Sequence, residues 1–341
     1  MKSENKFYSD NITLTKAVKT MKIVIPNDYQ NAVIHLDCFR LLHEHEVTIY
    51  NDSSDSLNEL EEKLKEAEAL VLIRERTKIS EDLLAKLPKL KLISQTGKIS
   101  NHLDLDACTK YKVAVAEGIG SPVAPAELAW GLILNGSRQI PQAIEGMKNG
   151  NWQTNIGRVL NGQVIGIWGY GKIGKRIAGY AKAFGMKVLI WGSETSRKNA
   201  EEDGFLSAEN REEFFKDSDI VSLHLRLSER TLHIVKESDL NLMKPGSLFV
   251  NISRSELVEK NALFNALKFG RPGFAALDVF DEEPILDKNY PLLQMKNVVC
   301  TPHIGYVEKT GYELYFSSAF QNIIAYSKGS PMNIVNEQVL K

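Results

Sequence analysis

Short apolar runs alternate with longer amphipathic stretches along the chain from Met21 onward. Runs of a few mostly apolar residues predict β-strands, and the stretches between them, with apolar residues at helical spacing, predict helices. The predicted strands of the first third are Lys22–Pro26, Glu46–Tyr50, Ala69–Ile73, Lys91–Ser94 and Lys112–Ala116, and the predicted helices are Asp55–Glu68, Ser80–Leu87 and Leu103–Lys110. This alternation indicates parallel βαβ units.

The alternation is interrupted at two proline-containing segments. After the first of these, Gly118–Pro122, we expect one long apolar helix over about Ala124–Lys148. Strands and helices then resume at Val164–Trp168 and continue to Val298–Cys300. Beyond the second proline, a last helix is predicted at about Thr310–Lys328.

Two such breaks indicate that one domain is inserted into another. We predict an α/β protein with two doubly wound parallel-sheet domains. One domain would comprise residues 21–120 and 303–335, and the other residues 121–302. Residues 1–20 show no clear pattern and are interpreted as an N-terminal extension. A chain of 341 residues is long enough for two domains that each bury a core.

The numbers of basic and acidic residues limit the kinds of molecule that the protein is expected to bind. Lys and Arg number 42 against 43 for Asp and Glu, so the formal net charge is -1. This balance carries no electrostatic signal for binding to nucleic acid or to an anionic membrane. We also find no apolar run of about 18 residues and no apolar signal segment at the start of the chain. We therefore expect a cytoplasmic protein without a membrane span.

Cysteine and histidine spacing argues against a metal site. The three cysteines, Cys38, Cys108 and Cys300, form no C-x-x-C pair, which fits a reducing compartment and excludes a zinc ribbon. His43-Glu44-His45 lacks further ligands nearby in the sequence, and we interpret it as a helix end. Cys300 lies close to a histidine in sequence, but we interpret its thiol as a packing group.

A glycine-rich segment, G-x-G-x-x-G, opens the second run of alternation. Its members are Gly169, Tyr170, Gly171, Lys172, Ile173 and Gly174. It directly follows an apolar strand and begins an amphipathic helix, which is the context that a dinucleotide-binding motif requires. The first glycine permits a tight turn, the second lets the backbone approach a pyrophosphate, and the third lets the helix pack on the strand. Free N–H groups at the helix N-terminus would bind the phosphates.

The end of the next strand leaves the choice of dinucleotide open. An acidic residue is expected there when the ribose hydroxyls of NAD are bound, but the chain has Gly192. Ser193 and Arg197, with Lys198 beyond, would suit the 2′-phosphate of NADP(H). Glu194 could instead reach the ribose of NAD(H). The pattern favours NADP(H) slightly.

Three candidate strands are each followed by a polar residue that could take part in a reaction. Arg254, Glu283 and His303 lie just beyond the apolar runs that end near Asn251, Phe280 and Thr301. In an open parallel sheet, ligands bind outside the carboxyl ends of the strands. We therefore expect these three side chains to lie near one another and near the dinucleotide.

Each of the three side chains has a role in hydride transfer to a 2-oxo acid. A guanidinium such as that of Arg254 binds a carboxylate through two parallel hydrogen bonds. A histidine exchanges the proton of the C2 oxygen, and a carboxylate behind it favours the protonated imidazole. Taken singly, Arg254 could pair with a surface acid, Glu283 could be solvated and His303 could cap a turn. Together, they indicate a reaction centre.

At this point the chain resembles the D-isomer-specific 2-hydroxyacid dehydrogenases, and the resemblance extends from Met21 almost to the end. It is carried by Gly169–Gly174, Ser222-Leu223-His224-Leu225, Met243-Lys244-Pro245-Gly246, Asn251–Arg254, Leu277–Pro284 and Thr301-Pro302-His303-Ile304-Gly305. The resemblance implies a Rossmann cofactor domain inserted in a flavodoxin-like substrate domain. It implies that Arg254, Glu283 and His303 are the catalytic set, with further cofactor contacts from His224 and Asp278.

The resemblance also implies a dimer and a substrate segment. The homodimer would form through the cofactor domain, including the helix near Ala124–Gly136. The substrate carboxylate would be bound by a segment that here contains Thr96, Gly97 and Lys98, where Lys98 could either add charge or point to solvent. Arg74 stands in a segment similar to that of the phosphoglycerate dehydrogenase branch, so a 3-phosphoglycerate-like or dicarboxylate substrate is left open. We expect no C-terminal regulatory domain.

The chain departs from the family pattern at three positions. Ser255 replaces a glycine after Arg254, Arg226 replaces a proline, and Gly192 replaces an acidic residue. Two other functions are therefore weighed. One is a dinucleotide-gated binding protein of the corepressor type on the same fold, which would not require all three catalytic residues. The other is a formate dehydrogenase, which would not require Glu283.

Overall fold

The structure is a computed structural model that describes residues 19–53 and 56–341. The chain divides into two compact units. The first comprises the described residues up to Gly120 together with Tyr312–Lys341, and the second comprises Ser121–Gly311. The second boundary lies later in the chain than the predicted one at 302/303, so His303 belongs to the second unit. The predicted extension at 1–20 lies outside the described residues, apart from Lys19 and Thr20.

The first unit contains a five-stranded parallel sheet. Its elements are β1 (Lys22–Ile25), β2 (Glu46–Ile49), α1 (Leu57–Leu64), β3 (Ala69–Leu72), α2 (Glu81–Leu84), β4 (Leu92–Gln95), α3 (Leu105–Lys110) and β5 (Ala114–Ala116). The strand order β2–β1–β3–β4–β5 is that of a flavodoxin-like sheet. Each predicted strand is confirmed, and the hydroxyl of Ser80 caps α2 as its position before two acidic residues predicts.

The second unit contains a seven-stranded parallel sheet with helices on both faces. Its elements are α4 (Val123–Arg138), α5 (Ile140–Lys148), β6 (Val164–Trp168), α6 (Lys172–Ala183), β7 (Lys187–Trp191), α7 (Glu194–Glu202), β8 (Leu206–Ser207), α8 (Arg211–Asp217), β9 (Ile220–Leu223), α9 (Glu237–Leu240), β10 (Leu248–Asn251), α10 (Ala262–Lys268), β11 (Phe274–Leu277) and β12 (Val298–Cys300). The order is β12–β11–β10–β9–β6–β7–β8. Numbered from β6, this is the Rossmann order, which reverses between β6 and β9. The last helix is α11 (Lys309–Ser327).

The prediction of one long helix at Ala124–Lys148 is wrong, because α4 and α5 are separate. Gln139 adopts a left-handed conformation, with φ of 52°, between them. Pro141 follows at the start of α5, where its missing N–H group costs no helical hydrogen bond. The carbonyl of Ser137, at the end of α4, instead accepts a hydrogen bond from the N–H of Arg158. A proline is tolerated in the first turn of a helix and breaks a helix that would continue through it.

Alternate residues of each central strand of the second unit enter different apolar clusters. In β10, Leu248 and Val250 pack with α4 and α6, whereas Phe249 packs on the opposite face with α8 and α10. Both faces of the sheet are therefore buried, as in other parallel sheets. The candidate site lies at the edge of the sheet where the strands end.

Candidate active site

Three adjacent strands carry the three predicted catalytic residues beyond their carboxyl ends. The last residues of β10, β11 and β12 are in register, with Asn251 opposite Leu277 and Leu277 opposite Cys300. Neighbouring strands lie about 4.8 Å apart. The segments that carry Arg254, Glu283 and His303 therefore leave the same edge of the sheet side by side.

The structure brings Glu283 and His303 into direct contact. Nδ1 of His303 lies 2.6 Å from Oε2 of Glu283. The other carboxylate oxygen, Oε1, accepts a hydrogen bond of 2.8 Å from the N–H of Phe280. The N–H of Phe280 thus holds the carboxylate in one orientation. In that orientation the ring nitrogen of His303 that bonds to the carboxylate is Nδ1. The histidine side chain is 21% exposed and the glutamate side chain 33%, so the pair remains accessible.

Arg254 is positioned by a network of hydrogen bonds at the end of β10. The side-chain amide of Asn251 donates to the carbonyl of Arg254 (2.8 Å) and accepts from the N–H of Ser253 (3.0 Å). The hydroxyl of Ser253 donates to the carbonyl of Leu223 in β9 (2.8 Å). These bonds fix the backbone from which the guanidinium projects. The role of Asn251 was not predicted, although a buried asparagine at the end of an apolar strand is a detectable signal.

Asp278 organises the segment that carries His303. Its carboxylate accepts three hydrogen bonds: from the hydroxyl of Thr301 (2.6 Å), from the N–H of Ile304 (2.8 Å) and from the N–H of Gly305 (2.8 Å). Burial raises the pKa of the Asp278 carboxyl above its ordinary value, and these donors oppose that shift. The predicted contact of Asp278 with the cofactor stays a prediction, and the structure adds a role in holding the histidine segment.

Replacement of Asp278 by asparagine is expected to loosen the His303 segment. An amide has one acceptor oxygen and an NH₂ group, so at least one of the three donors would face another donor. A buried unsatisfied donor costs about 1–3 kcal/mol, and we expect a loss of that size in the free energy of unfolding. Hydrogen exchange of the Ile304 and Gly305 amides should accelerate more than exchange of amides in β7. Unchanged protection at both positions would contradict this role.

The glycine-rich segment has the geometry of a phosphate-binding loop. Gly169 has φ of 102°, and a Cβ on Gly174 would lie 2.1 Å from the carbonyl oxygen of Gly169, so both positions require glycine. Gly171 is the N-cap of α6 and supplies no side-chain cap. A Cβ added to Gly171 would meet no described atom within 4 Å, so the N-terminus of α6 faces open space. The uncapped N–H groups and this space fit a diphosphate.

The other predicted loop residues divide between backbone and side-chain roles. Tyr170 is buried, and its hydroxyl donates to the carboxylate of Asp203 (2.9 Å), which also accepts from Lys175 (2.8 Å). The Tyr170 side chain therefore ties the loop to the end of α7. Lys172 and Ile173 form the first turn of α6, where their backbone N–H groups belong to the helix N-terminus.

His224, just beyond β9, packs against the glycine-rich loop. Its N–H donates to the carbonyl of Trp168 (2.9 Å), and its carbonyl oxygen would lie 2.6 Å from a Cβ on Gly169. Nε2 is 2.9 Å from the hydroxyl of Ser222, and buried Nδ1 has no partner among the described residues. Burial lowers the pKa of His224 to about 4, so the imidazole is neutral at physiological pH. These groups lie between β6 and β9, where the strand order reverses.

The strand end that selects the cofactor lacks an acidic residue, as the sequence indicates. Gly192 has φ of 155°, and a Cβ there would lie 3.2 Å from Cβ of Ser196. Ser193 caps α7 by accepting from the N–H of Ser196. The guanidinium of Arg197 lies 5.1 Å from the centroid of the Trp191 ring, a cation–π contact that keeps it beside the strand end.

In the first unit, the structure brings together three of the four predicted substrate residues. The N–H of Arg74 donates to the hydroxyl of Thr96 (2.9 Å), and this hydroxyl donates to the carbonyl of Leu72 (2.8 Å). A Cβ on Gly97 would lie 2.1 Å from Nη1 of Arg74, so the guanidinium lies directly against this glycine. Lys98 points elsewhere: its ammonium lies 2.5 Å from the carboxylate of Glu117, and its side chain is 66% exposed.

Two further classes of site find no support in the part of the chain that the structure describes. Within residues 19–53 and 56–341, no group of three or more His, Cys, Asp or Glu side chains is arranged to hold a metal ion. Nor does any helix in these ranges have the length and apolar character needed to cross a membrane. Burial raises the pKa of the Cys300 thiol to about 12, which fits its interpretation as a packing group.

Comparison with known proteins identifies the family. Residues 130–305 match the model of the D-isomer specific 2-hydroxyacid dehydrogenase NAD binding domain. A glyoxylate reductase of Thermococcus litoralis is 38% identical over 82% of this chain and 86% of its own length.

Two solved structures support the same relationship. A phosphoglycerate oxidoreductase of Vibrio cholerae is 54% identical, with a TM-score of 0.89 over 91% of this chain and 100% of that chain. A D-lactate dehydrogenase of Aquifex aeolicus, solved with NAD and lactic acid, is 31% identical, with a TM-score of 0.75 over 90% of this chain and 96% of that chain. The corepressor-type function is not favoured by these matches. The chain belongs to the D-isomer-specific 2-hydroxyacid dehydrogenases, and it is an NAD-binding oxidoreductase that acts on the CH–OH group of 2-hydroxy acids.

Proposed function

We propose that this chain interconverts a small 2-oxo acid and the corresponding D-2-hydroxy acid with Arg254, Glu283 and His303 as its catalytic residues. The observation that carries the proposal is the 2.6 Å contact between the His303 imidazole and the Glu283 carboxylate. That contact lies at the same edge of the sheet as the phosphate-binding loop and the Arg254 segment. A ring nitrogen paired with a carboxylate is the arrangement that general acid–base catalysis requires.

Each of the three residues has one task in the mechanism. The nicotinamide, when bound, supplies or accepts the hydride at C2. In the direction of reduction, Nε2 of protonated His303 donates its proton to the C2 oxygen, and in oxidation neutral Nε2 accepts it. Glu283 holds the opposite nitrogen, Nδ1, and stabilises the positive charge of the ring. The Arg254 guanidinium binds the substrate carboxylate through two hydrogen bonds and so orients C2.

Replacement of Glu283 by glutamine is expected to change the pH dependence of reduction. A neutral amide lacks the negative charge that stabilises the protonated imidazole during proton transfer. Reduction requires that proton, and its rate should therefore fall off at a lower pH than in the parent enzyme. Profiles of kcat/KM against pH for both proteins check this, and superimposable profiles would contradict the assigned role of Glu283. The matched control is Glu282→Gln, which removes the neighbouring charge from the same segment.

The proposed substrate class is supported by Arg74 of the first unit. Arg74 lies against Gly97, whose positive φ of 111° and missing side chain make room for the guanidinium. A cation in a predicted substrate segment suits a substrate with an additional acidic group or a short polar one. We therefore propose glyoxylate, hydroxypyruvate and 3-phosphohydroxypyruvate as the first candidates, with pyruvate as the apolar comparison. The relatives named above act on acids of this size, to judge from their names.

The test is oxidation of NADH and NADPH, followed by nicotinamide absorbance, against this panel of 2-oxo acids. Turnover of one member is the expected result, with the D-enantiomer as product where the product is chiral. A folded protein that binds dinucleotide and turns over no 2-oxo acid would overturn the proposal and favour a binding function. Formate is included in the panel, because reduction of NAD by formate would instead indicate a formate dehydrogenase.

We further propose that the enzyme prefers NADP(H) over NAD(H). The strand end offers Ser193, Arg197 and no acidic residue at Gly192, which suits the 2′-phosphate. Replacement of Arg197 by alanine is expected to raise KM for NADPH about tenfold, because a charge-assisted hydrogen bond contributes about 1.5–3 kcal/mol. KM for NADH should change less than about twofold. Arg176→Ala, which removes an exposed arginine from α6, is the matched control, and equal effects on both cofactors would contradict the preference.

A homodimer formed through the second unit is also proposed. The support is a group of exposed apolar side chains on α5 and in the segment that follows it: Ile144 (51%), Met147 (67%), Trp152 (76%), Ile156 (91%) and Val159 (69%). Clustered exposure of large apolar side chains typically marks an interface. The predicted contact helix, α4, is largely buried in its own unit, so α5 and residues 149–159 are the better candidates. Sedimentation of the parent and of a Trp152→Glu, Ile156→Glu variant tests this proposal, and a monomeric parent would contradict it.

A further inference from the structure

The segment after His303 folds back on the histidine. His303 is left-handed, with φ of 51°, and the N–H of Val307 donates to the carbonyl of Ile304 (2.9 Å), which closes a turn. A Cβ on Gly305 would lie 3.2 Å from Oδ2 of Asp278, a distance tighter than nearly all real Cβ contacts. Glycine at this position therefore lets the turn pack against the carboxylate that anchors it. The turn returns the side chain of the next residue, Tyr306, to His303.

Tyr306 contacts the imidazole with its ring. The two ring centroids are 5.6 Å apart, and the ring planes are inclined by 79°, an edge-to-face arrangement. Tyr306 is 8% exposed, whereas the side chains of His303 and Glu283 are 21% and 33% exposed. A buried ring thus lies against a partly exposed pair.

The hydrogen bond to Glu283 does not by itself fix the plane of the imidazole. The imidazole turns only about the Cα–Cβ and Cβ–Cγ bonds, and a hydrogen bond at Nδ1 tolerates small turns about Cβ–Cγ because its angle can depart from linearity. Such a turn swings Nε2 to one side, and Nε2 is the atom that exchanges the proton. A second ring packed nearly perpendicular to the imidazole opposes this turn on the side where the two rings meet.

We propose that Tyr306 is a positioning residue that holds the imidazole plane of His303 so that Nε2 faces the C2 oxygen of the substrate. This inference rests on the proposed catalytic role of His303. The ring of Tyr306, and not its hydroxyl, supplies the restraint, since the contact is between the two ring faces and edges. Small misplacements of a catalytic group reduce the rate of the chemical step strongly, while they leave binding of the substrate carboxylate to Arg254 intact.

The test compares Tyr306→Phe, which keeps the ring, with Tyr306→Leu, which keeps the apolar volume but removes the ring. We expect the phenylalanine variant to retain kcat within about twofold. The leucine variant should lose about tenfold in kcat with little change in KM, and the isotope effect with deuterated nicotinamide should increase as hydride transfer becomes rate-limiting. Phe215→Leu, which removes a buried ring from the core of the same unit, controls for loss of stability and should leave the isotope effect unchanged.

A readout that does not depend on turnover separates this inference from the proposed function. Histidine labelled with ¹³C at Cε1 gives one resonance for His303, assigned by its absence in His303→Gln. Relaxation of that resonance should indicate an ordered ring in the parent and in Tyr306→Phe, and a mobile ring in Tyr306→Leu. An equally ordered ring in Tyr306→Leu would overturn the inference, as would equal losses of order in both variants. The imidazole could prove ordered in the parent and in Tyr306→Phe and mobile in Tyr306→Leu, while the enzyme reduces no 2-oxo acid. That outcome would support the inference about Tyr306 and refute the proposed catalysis.

Discussion

Replacement of His303 by alanine is expected to lower kcat for 2-oxo acid reduction by about 10³-fold. The variant lacks the group that donates a proton to the C2 oxygen, and general acid catalysis typically contributes 10²–10⁴-fold. The alternative proton donor is water. Dinucleotide affinity should change little, because the phosphate-binding loop lies at β6 and α6 and not at β12. Steady-state rates measure kcat, and quenching of nicotinamide fluorescence measures dinucleotide affinity independently.

The control for this experiment is an exposed histidine of the first unit. His35 lies in a short 3-10 helix, and His35→Ala should retain parental activity. Free imidazole added to His303→Ala should restore part of the rate, because a soluble acid can occupy the space of the missing side chain. A His303→Ala enzyme within about tenfold of the parent would refute the assignment of His303 as acid–base residue.

Replacement of Arg254 by alanine is expected to reduce kcat/KM by about 10³-fold, the second large effect. The guanidinium is proposed to bind the substrate carboxylate through two charge-assisted hydrogen bonds, each worth about 1.5–3 kcal/mol. Arg254→Lys should recover only part of the loss, since an ammonium group cannot present two parallel donors to a carboxylate. Most of the loss in the alanine variant should appear in KM, with a smaller part in kcat from misorientation of C2.

A comparison of two substrates tests whether Arg254 binds the substrate carboxylate. The parent should strongly prefer a 2-oxo acid over the matching 2-oxo amide, and Arg254→Ala should lose most of that preference. Arg230→Ala, which removes an exposed arginine of the same unit, should behave as the parent. A retained preference for the acid in Arg254→Ala would show that another group binds the carboxylate.

Local pattern was sufficient to predict the elements that lead to the site. Each strand of the first unit and the strand–glycine–helix succession at β6 and α6 were predicted correctly. In the central strands the reason is that burial on both faces requires a continuous apolar run. The glycines of the loop were identified for a reason that holds locally: Gly169 has a positive φ, and Gly174 touches the carbonyl of Gly169. The division of α4 from α5 was missed, since the helical apolar pattern continues through Gln139 and hides the break.

The spatial relations within the site depended on long-range contacts. Glu283 and His303 are separated along the chain by an irregular segment, and their hydrogen bond forms because β11 and β12 are neighbours in the sheet. The sequence left open whether Lys98 contacts the substrate or points to solvent. The structure pairs its ammonium with Glu117, a residue beyond β5. The edge-to-face contact of Tyr306 arises from a turn whose closure requires the Asp278 carboxylate.

By itself, the sequence indicated the strands of the first sheet, the strand–glycine–helix succession of the second, and the three candidate catalytic residues. These features follow from periodicity and from backbone requirements that act within a few residues. Only the tertiary structure decided which side chains meet: Asp278 with the His303 segment, Asn251 with the backbone of Arg254, and Tyr306 with the imidazole of His303. The physical reason is that hydrogen bonds and ring contacts between different strand ends depend on the order of strands in the sheet. That order is set by the packing of whole units and is not encoded in any single segment.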